Sequence, residues 1–285
     1  MIIDSHQHFW QRDLPFDYQW LEAPENRAIN RDFLPSDLES QLQECGIDGS
    51  VFVQTQHNLA ENDWALSLTE QHPFVLGVVG WVDLASPHCQ GDLEQLLLHD
   101  RFVGIRHITQ DEPDDDFIVR EEILSGLKVL ERLGVPFDLL FYAKHLKHAP
   151  TVATAVPELP LVIDHLSKPN IAAGWDPNWE TEIREAAACD NVYCKLSGMI
   201  TEANWENWSA DDLRPYLETA IDAFGPKRCM YGSDWPVCEL AGSYRDVWEA
   251  FGELIKGYSD SERAALLGET AQRFYGLTSA DTESP

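Results

Sequence analysis

The sequence predicts an α/β fold, a (β/α)8 TIM barrel, on three observations. Eight near-continuous apolar runs recur along the chain. Amphipathic, charge-rich segments separate them. The whole occupies 285 residues, within the size of one such barrel. Strands without polar alternation belong to a parallel sheet covered on both faces, and eight βα units close such a sheet into a barrel. A doubly wound open sheet is the alternative, but no glycine-rich turn follows the first run to favour it. Residues 1–277 are therefore read as a single barrel domain and 278–285 as a polar tail.

The first strand, within residues 1–10, runs from apolar residues straight into His6-Gln7-His8. Alternate residues of a strand share a face, so Asp4, His6 and His8 are expected to point the same way. A helix follows from Pro35-Ser36-Asp37, with Leu38, Leu42 and Cys45 on one face and Gly46 as its stop. The second strand is 49–56. A helix near 61–71 leads to the third, 74–84, and the fourth is 102–108. A helix near 117–133, stopped by Gly134, precedes the fifth strand, 135–142. The sixth, seventh and eighth are 161–166, 191–198 and 228–235, and helices near 243–256 and 259–275 complete the chain.

Polar residues gather at the ends of these strands. His6 and His8 end the first, Gln54 and Gln56 (then His57) the second, and Arg106 and His107 the fourth. Asp164 and His165 end the sixth, Lys195 and Ser197 the seventh, and Asp234 the eighth. Ionisable groups on otherwise apolar strands need a polar destination. The C-terminal ends of the strands form the active-site face of this barrel. Any one of these residues could be a satisfied core group; their convergence on one rim marks a site. Long loops at 11–32, 110–116 and 174–179 carry or adjoin Trp10, Trp20, Trp175 and Trp179, and Trp205 and Trp208 follow the seventh strand. Such indoles either stack on a sugar-like ring or pack on the barrel rim.

Composition excludes several classes. With 20 Lys+Arg against 49 Asp+Glu, the formal net charge is −29, a field that repels nucleic acid and acidic membranes. No apolar stretch is long enough to span a bilayer, and no basic leader precedes the first apolar residues. Six cysteines without a C-x-x-C pair read as reduced thiols in a cytoplasmic protein.

Taken in order, His6-x-His8, Gly104-Ile105-Arg106, Asp164-His165, Lys195-Leu196-Ser197-Gly198 and Tyr231-Gly232-Ser233-Asp234-Trp235-Pro236 resemble the amidohydrolase superfamily. They are most similar to its lactonase branch, which includes L-fuconolactonases, L-rhamnonolactonases and 2-pyrone-4,6-dicarboxylate lactonase. The strand-eight motif is the most specific, and the resemblance covers residues 1–277. It implies a (β/α)8 fold and lactone hydrolysis at one end of the barrel, as in the degradation of sugars such as fucose. There are departures. Two-metal members carry a bridging carbamylated Lys on strand four and a His on strand five, and single-metal members also use the strand-five His. Here strand four offers Arg106 and His107, and strand five has no His. His6, His8 and Asp234 could still hold a divalent metal such as Zn weakly, completed by His165 or water. The branch includes members that work without metal, and the preferred reading is that no cofactor is required.

The implied roles follow. Asp234 is the general base for water, and His165 orients that proton or polarises the carbonyl. His6 and His8 donate hydrogen bonds to the carbonyl oxygen as it becomes an oxyanion. Arg106 binds substrate oxygens, with Gln56, His57 and Trp235 as further substrate-binding candidates. His107 alternates to the face opposite Arg106. Asp164 orients a neighbour, and Lys195 is open between strand packing and catalysis. Few basic residues lie near the strand ends, which favours a neutral polyhydroxylated ring over a dicarboxylate. A small-molecule sugar-acid lactone, of the L-fucono- or L-rhamnonolactone kind, is the expected partner. A metal-dependent decarboxylase of the same superfamily and a non-catalytic binding protein are the alternatives.

Overall fold

Eight strands follow the apolar runs in the computed structural model, which describes residues 1–278. They are β1 (Ile3–Gln7), β2 (Gly49–Val53), β3 (Val75–Gly80), β4 (Phe102–His107), β5 (Phe137–Leu139), β6 (Leu161–Ile163), β7 (Val192–Leu196) and β8 (Cys229–Tyr231). All neighbours pair in parallel, in the order β1 to β8. The sheet closes at its C-terminal end, where His8 N donates to the Trp235 carbonyl at 2.7 Å and Asp234 N to that of His6 at 2.9 Å. The predicted polar tail lies outside the described residues from 279 onward.

The strands are shorter than the runs that predicted them. In β5, β6 and β8 the chain leaves the sheet after three residues, so the polar groups that follow stand on the loops above the barrel.

Helices α1 (Pro35–Cys45), α2 (Leu59–Gln71), α3 (Cys89–Leu96), α4 (Glu121–Leu133), α5 (Ala149–Ala155), α6 (Pro177–Ala187), α7 (Met199–Glu202), α8 (Ala210–Phe224), α9 (Tyr244–Leu254), α10 (Asp260–Ala264) and α11 (Thr270–Tyr275) surround the sheet. Helix α1 starts where the Asp37 carboxylate accepts the Leu34 N–H at 2.8 Å, and it stops at Gly46, whose φ is 69°. Gly134 stops α4 in the same way at φ 71°. The last predicted helix is broken. A π-turn, Ala265–Glu269, separates α10 from α11, and there Gly268 passes so close to the Met1 carbonyl that a Cβ would lie 2.1 Å from it.

The barrel interior has an apolar lower layer that includes Ile3, Val51, Leu76, Val162 and Met230. Phe274, Tyr275 and Leu277, from α11 and just beyond it, close this layer from below. The larger core lies between sheet and helices. Among the described residues no helix is long and apolar enough to cross a membrane.

One face assignment is corrected. Asp4 does not share the face of His6 and His8, because the pairing of β1 with β2 shifts register between Asp4 and Gln7. Asp4 points outward instead and accepts from Ser233 N at 2.9 Å and the Tyr244 hydroxyl at 3.1 Å.

Candidate active site

The site is built in two tiers inside the upper barrel. The lower tier is a buried charge network. Lys195, on β7, sets its ammonium 2.5 Å from Asp138 Oδ2, 3.1 Å from Asp164 Oδ1 and 3.2 Å from His6 Nδ1. The Tyr275 hydroxyl donates to Asp138 at 2.8 Å. Arg106, on β4, puts Nη1 3.2 Å from Asp164 Oδ2 and 3.3 Å from His6 Nε2, and Nη2 donates to the Gln54 carbonyl. Two cations face two carboxylates, which is the condition under which such groups can be buried. Burial lifts the Asp138 carboxyl to about 6 against the pull of Lys195. Burial pushes Asp164 the same way, but Lys195, His6 and Arg106 outweigh it and hold that carboxyl well below the usual range.

The upper tier is Asp234 ringed by imidazoles. Its Oδ1 lies 3.4 Å from His8 Nε2, 3.7 Å from His165 Nε2 and 3.8 Å from His6 Nε2. The Nε2 atoms of His6 and His8 are 3.2 Å apart. Burial favours the neutral form of all three rings and lowers His165 to about 4 despite the adjacent carboxylate. For Asp234, burial alone would raise the carboxyl, but in the acid range where it titrates the surrounding imidazoles, His165 foremost, carry charge and hold it well below the ordinary value.

Hydrogen bonds to the second ring nitrogens fix what these histidines can do. His8 Nδ1 lies 2.7 Å from the Val53 carbonyl, which only accepts, so Nδ1 carries the hydrogen. The Nε2 of neutral His8 therefore presents a lone pair to the site. The sequence expectation that His8 donates to a substrate carbonyl needs the opposite tautomer. His6 Nε2 faces Arg106, which only donates. His165 Nδ1 is held by Ser197 Oγ at 2.8 Å.

His165 reaches the site from an unusual backbone. Residues 165, 166, 167 and 168 have φ of 53°, 53°, 61° and 49°, and none is glycine. A left-handed residue with a side chain costs roughly 1–2 kcal/mol. Trp179 Nε1 donates to the Leu166 carbonyl at 2.8 Å, and Ser167 Oγ to that of Tyr142 at 3.1 Å, which hold the turn in place. Asp234 also sits at positive φ, 59°. Strain of this kind collects at functional sites. Gly198, at φ 63°, leaves room for the imidazole, since a Cβ there would lie 2.6 Å from His165 Nδ1. Gly198→Ala is accordingly expected to displace the imidazole and, if His165 acts in the reaction, to lower kcat/KM by about tenfold or more. Steady-state kinetics beside a thermal melt would check it, and unchanged kinetics in a folded variant would remove His165 from the mechanism.

A cavity of about 230 Å³ opens above these groups. His8, Arg106, His165 and Asp234 line its floor, and Trp10, Trp20, Ile108, Leu140 and Val237 its walls. Thr55, Gln110, Asp111 and Lys168 add polar surface. His6 lies in contact with the lining residues His8 and Arg106.

Three predicted substrate-binding residues do not line this cavity. Gln56 accepts the Asp17 N–H at 2.9 Å and so pins the 11–32 loop. His57 accepts the Ile108 N–H at 2.9 Å and stacks on His107 with ring centres 3.9 Å apart. Trp235 is fully buried against Phe9 and Phe33 and donates to Glu239 at 2.8 Å. His107 points away from the cavity, as alternation requires, and pairs with Glu112 at 2.8 Å. Sequence reasoning assigned no role to Asp138, Lys168 or Tyr275. Asp138 had a signal, being the one acid on an otherwise apolar strand. Lys168 and Tyr275 had none, because a loop lysine and a helical tyrosine are ordinary.

The chain is similar to known proteins along nearly its whole length. Residues 3–277 match the amidohydrolase family. The chain belongs to that family. This amidohydrolase is 38% identical over 284 residues to L-fucono-1,5-lactonase of Burkholderia ambifaria, covering 96% of this chain and 95% of that protein. It is 36% identical to L-fucono-1,5-lactonase of Burkholderia multivorans, covering 96% of each. A solved amidohydrolase from Burkholderia multivorans with bound HEPES superposes with a TM-score of 0.92 at 34% identity, covering 98% of this chain and 100% of the other. A second structure, with bound zinc, gives 0.90 at 35% identity over the same shares.

The amidohydrolase has a cluster with the spacing of a metal site. A tetrahedral ion with bonds of about 2.0–2.2 Å keeps its ligand atoms roughly 3.3–3.6 Å apart. His6 Nε2, His8 Nε2 and Asp234 Oδ1 stand 3.2, 3.4 and 3.8 Å from one another. The bond from His8 Nδ1 to a backbone carbonyl is also how metal-ligating imidazoles are oriented. The donor set thus fits a divalent ion. A strand-five histidine is lacking, since β5 reads Phe137, Asp138, Leu139.

Proposed function

We propose that this lactonase opens a sugar-acid lactone of the L-fucono-1,5-lactone kind to its aldonic acid, with Asp234 as general base. One observation carries the reading: an ionised carboxylate on the cavity floor, ringed by neutral imidazoles and close to a fixed guanidinium. Water attacks the lactone carbonyl carbon as Asp234 takes its proton. His165, anchored by Ser197, orients that water. The Arg106 guanidinium stabilises the oxyanion from the same floor. The ring C–O bond then breaks, and Asp234 returns the proton to the leaving alkoxide. The product is the open hydroxy acid. The indole walls and the polar lining from Thr55 and Asp111 suit a hydroxylated ring.

Held by His6, His8 and Asp234, a divalent ion would add Lewis acidity and a more acidic water. Arg106 already places positive charge on the floor, so turnover is expected to survive chelation. All six cysteines are free thiols, which suits a cytoplasmic setting.

The test is pH-indicator turnover on a panel of aldonolactones, with and without exhaustive chelation. Hydrolysis of L-fucono-type lactones in both preparations supports the reading. Loss on chelation with recovery on one added metal would make the histidines obligatory ligands. If no lactone turns over, the lactonase reading fails, and carbon dioxide release from aromatic acids becomes the next assay.

The acid limb gives a second check. His165 protonates only as pH falls toward about 4, not near 6.5. kcat/KM is expected to hold level from neutral pH to about 5 and then fall. A limb centred near 6.5 would show that His165 is solvated or not involved.

A further inference from the structure

We infer that Arg106 holds divalent metal off the cluster of His6, His8 and Asp234, and so sets how weakly the site binds it. The three ligand atoms have the spacing of a metal site. The lone pair that His6 Nε2 would give the ion faces Arg106 Nη1 at 3.3 Å. On the other side of the same ring, Nδ1 lies 3.3 Å from Asp164 Oδ1 and 3.2 Å from Lys195 Nζ, and it gives its hydrogen to the carboxylate. The one lone pair this ring can offer an ion is thus the one that faces Arg106.

The two cations are not equivalent. Lys195 is matched by two carboxylates, Asp138 and Asp164. Arg106 has Asp164 alone, its Nη2 donates to a neutral carbonyl, and its buried Nε has no partner. Arg106 also borders the cavity through which an ion would enter. For an ion to reach His6 Nε2, the contact with Arg106 must break, and the ion must settle beside a fixed positive charge in a poorly screened interior. The inference concerns the proposed lactonase site but rests on these contacts, and it is tested without substrate, so failure of the lactone assay and failure of this inference are separately visible.

The experiment is equilibrium dialysis of the purified chain against chelator-buffered Zn²⁺, for the wild-type protein and for Arg106→Met. The visible spectrum of added Co²⁺ reports coordination independently. Arg106→Met is expected to bind zinc about tenfold tighter or more, the scale on which groups behind metal ligands act. It should also develop a cobalt spectrum at concentrations where the wild type does not. Adding His8→Ala should abolish the gain. Zinc binding by Arg106→Met no tighter than wild type overturns the inference. If that variant does not fold because Asp164 loses its partner, Arg106→Gln retains a neutral donor, and the same comparison decides.

Discussion

Replacing Asp234 by Asn is expected to lower kcat by roughly 10²–10⁴-fold, the usual worth of a positioned general base. The fold should survive. Asn tolerates the left-handed backbone that Asp234 adopts at φ 59°, and the backbone bond from residue 234 to the His6 carbonyl does not involve the side chain. The amide keeps the size of the carboxylate and loses its basicity. Lactone turnover, read beside circular dichroism and a thermal melt, separates a chemical effect from a structural one. A fall of only a few-fold in a folded variant would move the base role to His165.

Lys195→Met should show the second large effect, and in stability. Methionine fills a similar volume but leaves the carboxylates of Asp138 and Asp164 without their shared ammonium. Breaking a buried ion pair on one side costs about 3–5 kcal/mol. For a chain of this size that corresponds to a fall in Tm of roughly 10 °C. Thermal and urea unfolding would measure it, and Lys195→Met combined with Asp138→Asn should recover part of the loss. An unchanged Tm would mean that water reaches the lower tier and screens it.

Much of this site was legible because charged residues on apolar strands are conspicuous. His6, His8, Arg106, Asp164, His165, Lys195 and Asp234 stood out from runs of Val, Ile and Leu, and the barrel gathers all seven. What was not legible depended on register and on contacts distant in sequence. The outward turn of Asp4 arises from a shift in strand pairing, which alternation alone cannot reveal. Gln56 and His57 lie beyond the end of β2, where period-two counting no longer applies. Trp235 is a substrate-binding candidate in sequence, yet Phe9 and Phe33 enclose it. Four successive left-handed residues without glycine give no sequence signal, because packing by Trp179 and hydrogen bonding by Ser167 hold them there. The fold class was readable from the apolar runs, whereas α3, α5, α6, α7 and α8 were not individually delimited.

The hydroxyl that Tyr275 gives Asp138 comes from α11, the last helix of the described chain. During synthesis, every residue around the cavity emerges from the ribosome before that phenol does. Without α11, Asp138 would lack this donor and the lower barrel would lose the side chains of Phe274 and Leu277 that cover it. The lower tier is therefore completed by a segment that follows every cavity residue in the sequence.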